Sequence, residues 1–374
     1  MSDSPRRKLL RLLSGVSADE VLVCPLVDGT YAAWVVGKQW VSEATVEDLL
    51  AVAEGGGYEP FIGVDVGPGD PEGILCESIR WEVKARQLDD QTIERQYCLP
   101  TPWGELCRVE REHKGMSSWL VRPPLERWAP EILEWYAQQI IAAPAERASQ
   151  RVRDVVQKVG ERGLVYAGVG LPFEMFGLYR EEDLIYHCFD HKDEWKKISH
   201  VVAEANYHLI SLYLQAGVDA IFFGPYGTEL ISPKLFEEEF LPFLSRYTRL
   251  VHELGGLAYV HSCSKQREWI VRGYYNQFEP DLLESLAPPP TGDIDDLSWA
   301  RAALSPRICT KGNLDLGLLR TASPELVEQE TRAILVATRG YRHIVGTADA
   351  VLPGTPIENI QAMVRAAKAW SDSM

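Results

Sequence analysis

The sequence predicts an α/β protein, a (β/α)8 barrel carrying an N-terminal insertion that is β-rich and helical. Three observations point there. From Leu164 onward, short apolar runs of strand character alternate with amphipathic helical stretches, the pattern of βαβ units and a parallel sheet. Two earlier apolar runs, residues 21–26 and 61–66, bring the strand count to that of a closed barrel. Polar residues gather just after the runs, where such a barrel carries its active site on the loops at the strand C-termini. The same alternation also fits a doubly wound sheet. At 374 residues the chain is read as one domain, residues 1–374, since barrels of this kind reach that size around one core.

Taken in order, the chain opens on a basic stretch, residues 1–8. Arg11 interrupts the apolar residues that follow, so no signal peptide is expected and the protein is read as cytoplasmic. No apolar run approaches the roughly 20 residues of a membrane span, and no membrane partner is expected. A formal net charge of −16 argues against nucleic acid, whose binding relies on lysine and arginine neutralising phosphates. The seven cysteines are scattered without a C-x-x-C pair, which implies neither a disulfide framework nor a zinc ribbon.

Residues 21–26 form a short candidate strand ending at the Asp28-Gly29 turn. In the next strand, residues 61–66, Asp65 is the only charge. It is either a functional carboxylate or a cap or turn residue with Gly67-Pro68-Gly69. Residues 79–119 read as a β-rich insertion in which Pro102-Trp103-Gly104 turns between two strands, and a hairpin lid is expected. Residues 124–162 change to helical periodicity, with Ile132, Leu133, Trp135, Tyr136, Ile140 and Ile141 on one face.

Strands are then expected at 164–169, 220–223, 257–260, 282–283, 307–310 and 341–345. A helix over 233–254 is capped by Ser232, kinked by Pro242 and stopped by Gly255-Gly256. The last helix opens on Thr355-Pro356-Ile357-Glu358, which has the form of a capping box. The loops after the strands carry Glu174, Tyr226, Glu229, Glu284, Asn313 and Asp349. Asp65, Glu174 and Glu284 are the carboxylates expected to do acid or base work, and Tyr226 and Asn313 are expected to touch substrate.

The sharpest chemical signal is His261-Ser262-Cys263. Side chains alternate across a strand, so a spacing of two sets imidazole and thiol on one face near the strand's C-terminal end. Neutral imidazole and thiolate are zinc ligands, and catalytic zinc keeps one position open. The competing reading is a packed histidine and a small buried thiol.

The segments 217–236, His261-Ser262-Cys263, Gly312-Asn313-Leu314-Asp315 and 353–360 resemble the uroporphyrinogen decarboxylase superfamily over roughly the last 210 residues. That resemblance implies a (β/α)8 barrel and two enzyme classes, decarboxylases of haem biosynthesis and zinc-dependent methyltransferases that exchange methyl groups with a corrinoid protein or a thiol. The decarboxylases carry an N-terminal R-Q-A-G-R element, whereas residues 20–45 here contain no arginine. A substrate with many carboxylates needs several bidentate arginines. The methyltransferases carry H-x-C, as here, and a later cysteine whose place is taken by Asp349. The resemblance therefore implies Zn2+ on His261, Cys263 and Asp349 or Glu284, a small methylated donor or a thiol acceptor, and a corrinoid carried by a partner protein. A homodimer is compatible with it. Gly224 stands where the family usually has aspartate, so a metal-free decarboxylase using Asp65 and a barrel without catalysis remain the competing expectations.

Overall fold

The computed structural model describes residues 3–16, 21–64 and 77–372. Its strands, numbered along the chain, are β1 (Phe61–Val64), β2 (Glu82–Gln87), β3 (Thr92–Thr101), β4 (Gly104–His113), β5 (Trp119–Arg122), β6 (Leu164–Gly168), β7 (Ala220–Phe223), β8 (Leu257–Ser262), β9 (Leu282–Ser285), β10 (Cys309–Leu314) and β11 (His343–Thr347).

Seven of them form one parallel sheet in the order β1-β6-β7-β8-β9-β10-β11. Residues 21–26 supply the eighth stave. Cys24 N donates to Val345 O at 2.7 Å and Val345 N to Leu22 O at 2.9 Å, while on the other side Glu59 N donates to Val23 O at 3.0 Å, just ahead of β1. The segment thus lies between the two edge strands and completes the barrel, although its pairing amounts to a single Val23–Val345 bridge. Two of its six residues explain this economy: Pro25 has no amide hydrogen to donate, and Leu26 N is taken by the Thr347 hydroxyl at 2.9 Å.

Alternation along each strand sorts the core into two regions. Ile62, Val165, Ile221, Val260, Leu283 and Val345 face outward into the large cluster shared with the helices. Phe61, Leu164, Ala220, Tyr259, Leu282, Cys309 and Ile344 face the lumen. The N-terminal end of the lumen is plugged by the helix Pro5–Leu13, capped by Ser4, whose Leu9, Leu12 and Leu13 join the lumen cluster.

Most strands fall where the sequence placed them, and the differences have local causes. β10 and β11 each reach further toward the mouth than expected, to Leu314 and Thr347, because Lys311 and Gly312 are held between β9 and β11 and Asn313 pairs with Gly346, despite their loop-like character. Pro242 does more than kink its helix. The chain divides into Pro233–Glu239 and Leu241–Glu253 with Phe240 between them, and Pro242 sits in the first turn of the second helix, where a missing N–H costs nothing. The expected capping box at Thr355 is not formed. Pro356 is the N-cap residue of the helix Ile357–Ser371, and the Thr355 hydroxyl makes no capping bond.

The insertion is larger than a hairpin. β2-β3-β4-β5 make a four-stranded antiparallel sheet, with Pro102 and Trp103 turning between β3 and β4 as expected. Tyr97, Leu99 and Leu106 pack one face of it into the main core, and Trp81 Nε1 donates to the Tyr136 hydroxyl of the helix Pro130–Ile141 at 3.3 Å. Among the described residues no helix is long and apolar enough to cross a membrane.

Candidate metal centre at the barrel mouth

His261 ends the inward row of β8 and Cys263 follows the strand by one residue. The loop after β11 returns Asp349 to the same place, so that one ligand atom from each of His261, Cys263 and Asp349 lies within 4.8 Å of the other two. His261 Nε2 is 3.6 Å from Asp349 Oδ1. All three side chains are half-buried. Asp349 is held by its own loop, Oδ1 accepting from Ala350 N at 2.7 Å.

The imidazole is oriented from below. Its Nδ1 lies 3.0 Å from Glu284 Oε2 on the neighbouring strand, where His261 and Glu284 are register partners. Glu284 is fully buried, and Tyr259 Oη donates to the same Oε2 while Lys311 Nζ donates to Oε1. Lys311 is also fully enclosed, paired in register with Glu284 on β10. Burial by itself would raise the Glu284 pKa, but Lys311 and His261 outweigh it and hold the carboxyl down at about 2. On His261, burial disfavours the charged ring; hydrogen bonds to Cys263 and Glu284 overcome this and raise its pKa to about 10.

Above this layer the barrel wall is bare. Gly63, Gly168, Gly224 and Gly346 continue the inward rows of their strands toward the mouth, and the layer beneath them is aromatic. Tyr166, Phe222 and Tyr259 pack edge to face or tilted with centroids 5.1–5.5 Å apart, and the Phe222 ring lies 5.8 Å from that of His261. A side chain built on Gly168 would meet nothing closer than Phe222 at 4.0 Å, whereas one on Gly346 would press on Cys24 O and Lys311 at 3.0 Å. The mouth is therefore a space with an aromatic floor and the His261–Cys263–Asp349 cluster on its wall.

The remaining expected site residues fall as follows. Glu174 lies after β6, half-buried, with Oε1 accepting from Leu171 N at 2.9 Å as the cap of its own turn. Burial raises its pKa to about 7. Tyr226 packs edge-on against Phe173 and Phe240, 6.0–6.2 Å away, and its hydroxyl is suppressed from ionising by burial and by Glu174 and Glu181. Asn313 is at the end of β10, its amide donating to Leu286 O at 3.0 Å. Glu229 braces the loop beyond Cys263 by accepting from Lys265 N at 3.1 Å. Asp65 lies outside the described residues.

Glu284 differs from the expectation of a group open to substrate or completing the metal shell. It stands behind His261 with both oxygens engaged, so its place is to orient the ring. Lys311 and Tyr259 were not singled out from the sequence for any role. A partial signal was present: a lysine two residues after the lumen-facing Cys309 and a tyrosine two residues before His261 both point into the lumen by alternation.

The family model for uroporphyrinogen decarboxylase (URO-D) matches residues 143–370. The chain belongs to the URO-D family. Curated relatives are uroporphyrinogen decarboxylases, 38% identical over 88 residues in a Synechococcus strain, 22% of this chain and 25% of that protein, and 24% identical over 200 residues in Coxiella burnetii, 52% and 50%. The chain thus spans half or less of the length of the relatives it matches. Among solved structures, a methyltransferase from Methanosarcina mazei superposes over 99% of both chains with a TM-score of 0.71 at 17% identity, a likeness of fold. URO-D barrels are enzymes, and the cluster at the strand C-termini lies where barrel enzymes carry their chemistry.

Proposed function

We propose that this URO-D family member is a zinc-assisted methyltransferase, moving a methyl group between a small methylated substrate or a thiol and a corrinoid carried by a partner protein. The observation that carries the proposal is the convergence of an imidazole nitrogen, a cysteine sulfur and a carboxylate oxygen within 4.8 Å at the mouth. That donor set suits zinc, and three protein ligands leave a coordination position for substrate.

When bound there, zinc would supply Lewis acidity to the substrate heteroatom that gains or loses the methyl group. The chain's own residues do the rest. Glu284 claims Nδ1 of His261 and so leaves Nε2 directed at the cluster, the carboxylate–histidine arrangement that fixes ring orientation and basicity. Lys311 keeps Glu284 ionised inside the barrel. Gly168 and Gly224 leave room above the aromatic floor, which would hold the apolar part of a small substrate. Glu174, with its raised pKa, could hold a proton near neutrality at the rim, beside Tyr226.

The absence of arginine from residues 20–45 speaks against uroporphyrinogen as substrate, because eight acidic arms would need several cationic partners. The protein purified with zinc is expected to methylate or demethylate a corrinoid, followed by the cobalt absorbance change, with loss of activity on chelation. Chelator-insensitive decarboxylation of uroporphyrinogen at about 1 per second or faster would overturn the proposal.

A further inference from the structure

A second group of metal-ligating side chains lies away from the barrel mouth. Cys98 on β3 and Cys107 on β4 are direct register partners in the inserted sheet, and Glu105 is two residues before Cys107, on the same face. One ligand atom from each of the three lies within 4.8 Å of the others, with Cys107 Sγ 3.3 Å from Glu105 Oε2. This face is opposite the one that Tyr97, Leu99 and Leu106 bury in the main core. Packing against that core therefore does not account for the pair. Both cysteines are free thiols; Cys98 is only 4% exposed, whereas Cys107 and Glu105 open progressively to solvent.

We propose that this face of the inserted sheet is a second cation site, with Cys98 Sγ, Cys107 Sγ and a Glu105 carboxylate oxygen holding a thiophilic divalent ion such as Zn2+ or Cd2+. The dimensions suit it. Tetrahedral zinc with Zn–S bonds of about 2.3 Å sets two sulfurs about 3.8 Å apart, a separation within the compass of the cluster, and solvent completes the shell. Antiparallel pairing fixes the two Cβ atoms about 4.5–5.5 Å apart, so rotation about χ1 alone tunes the sulfur separation. Loading the ion would displace the thiol protons to solvent, because thiolate rather than thiol is the ligand. The site depends on none of the residues at the barrel mouth and is independent of the methyltransferase proposal.

Cadmium tests it, because its thiolate complexes absorb in the ultraviolet. The full chain, purified reduced, is expected to bind two Cd2+ by equilibrium dialysis. The His261→Ala/Cys263→Ala variant should keep one, together with the thiolate absorbance of Cys98 and Cys107, and adding Cys98→Ser/Cys107→Ser should abolish both. Cys107→Ser alone, which alters the more exposed thiol, should bring the otherwise unmodified chain from two ions to one while its melting temperature without metal stays unchanged. The proposal is overturned if the His261→Ala/Cys263→Ala protein binds no cadmium, if Cys107→Ser leaves the number of bound ions unchanged, or if a mass deficit of two hydrogens shows Cys98 and Cys107 joined as a disulfide in protein kept under reducing, air-free conditions.

Discussion

Replacing Lys311 by Met tests the support beneath the metal centre. The substitution keeps an unbranched side chain of similar reach and removes the ammonium that faces Glu284, both groups being buried to within 1%. Removing one partner of a buried ion pair leaves an uncompensated charge and costs about 3–5 kcal/mol. With an unfolding entropy of about 2.1 cal/mol/K per residue, a 374-residue chain carries about 0.8 kcal/mol/K, so the melting temperature should fall by about 4–6 °C. Glu284 can escape part of this by taking a proton, and then it no longer offers a full charge to His261 Nδ1. Zinc affinity at the mouth should therefore drop about 10–100-fold, the usual cost of losing a carboxylate behind a ligating histidine. The Lys311→Met/Glu284→Gln double variant separates the two effects: without a buried charge it should recover most of the lost melting temperature while its zinc affinity stays low. Calorimetric unfolding and competition with a zinc chelator read both quantities. A single variant that melts within about 1 °C of the parent with unchanged zinc affinity would refute the idea that Lys311 and Glu284 act as a unit under His261.

Cys263→Ala should weaken zinc at the mouth more than Asp349→Ala, because thiolate contributes more to this borderline-soft ion than one carboxylate; equal and negligible effects in chelator competition would leave the cluster without a metal role. Glu174→Gln should change the pH dependence of stability. A carboxyl whose pKa rises from 4.5 to about 7 on folding favours the native state fully below 4.5 and loses that benefit as pH climbs through 7, so the parent's melting temperature should fall relative to the variant's across this window and run parallel to it elsewhere. Gly168→Val has open space at its Cβ, 4.0 Å from Phe222, and should fold and bind zinc normally while lowering kcat/KM for methyl transfer at least about tenfold by filling the mouth, measured by steady-state kinetics beside zinc content.

What the sequence disclosed of this architecture follows from how local each feature is. β7 was legible to the residue because Ala220–Phe223 is purely apolar and bounded by Asp219 and Gly224. The H-x-C pair was legible because a two-residue spacing on a strand settles a shared face. β10 was not, since Lys311, Gly312 and Asn313 look like a loop until the flanking strands β9 and β11 supply their hydrogen-bond partners. The extent of the inserted sheet was hidden for a similar reason: only residues 81–83 announce β2, which is exposed along its whole length with no apolar side chain beyond Val83 and Ala85, and it forms by pairing with β3.

Glu284 shows why a site residue can be found in sequence and still be assigned to the wrong layer. Its position two residues into an apolar run marks it as an acid at a strand end, and from there sequence spacing cannot distinguish an oxygen that opens to the mouth from one that turns inward. Register decides. Glu284 pairs level with His261 on one side and Lys311 on the other, so its carboxylate is drawn between an imidazole and an ammonium and closed over by Tyr259. A carboxylate this deep stays ionised only with partners on both oxygens. The His261 ring consequently has Nδ1 committed within the wall and Nε2 turned toward Asp349, 3.6 Å away, which is where the proposed metal would take it up.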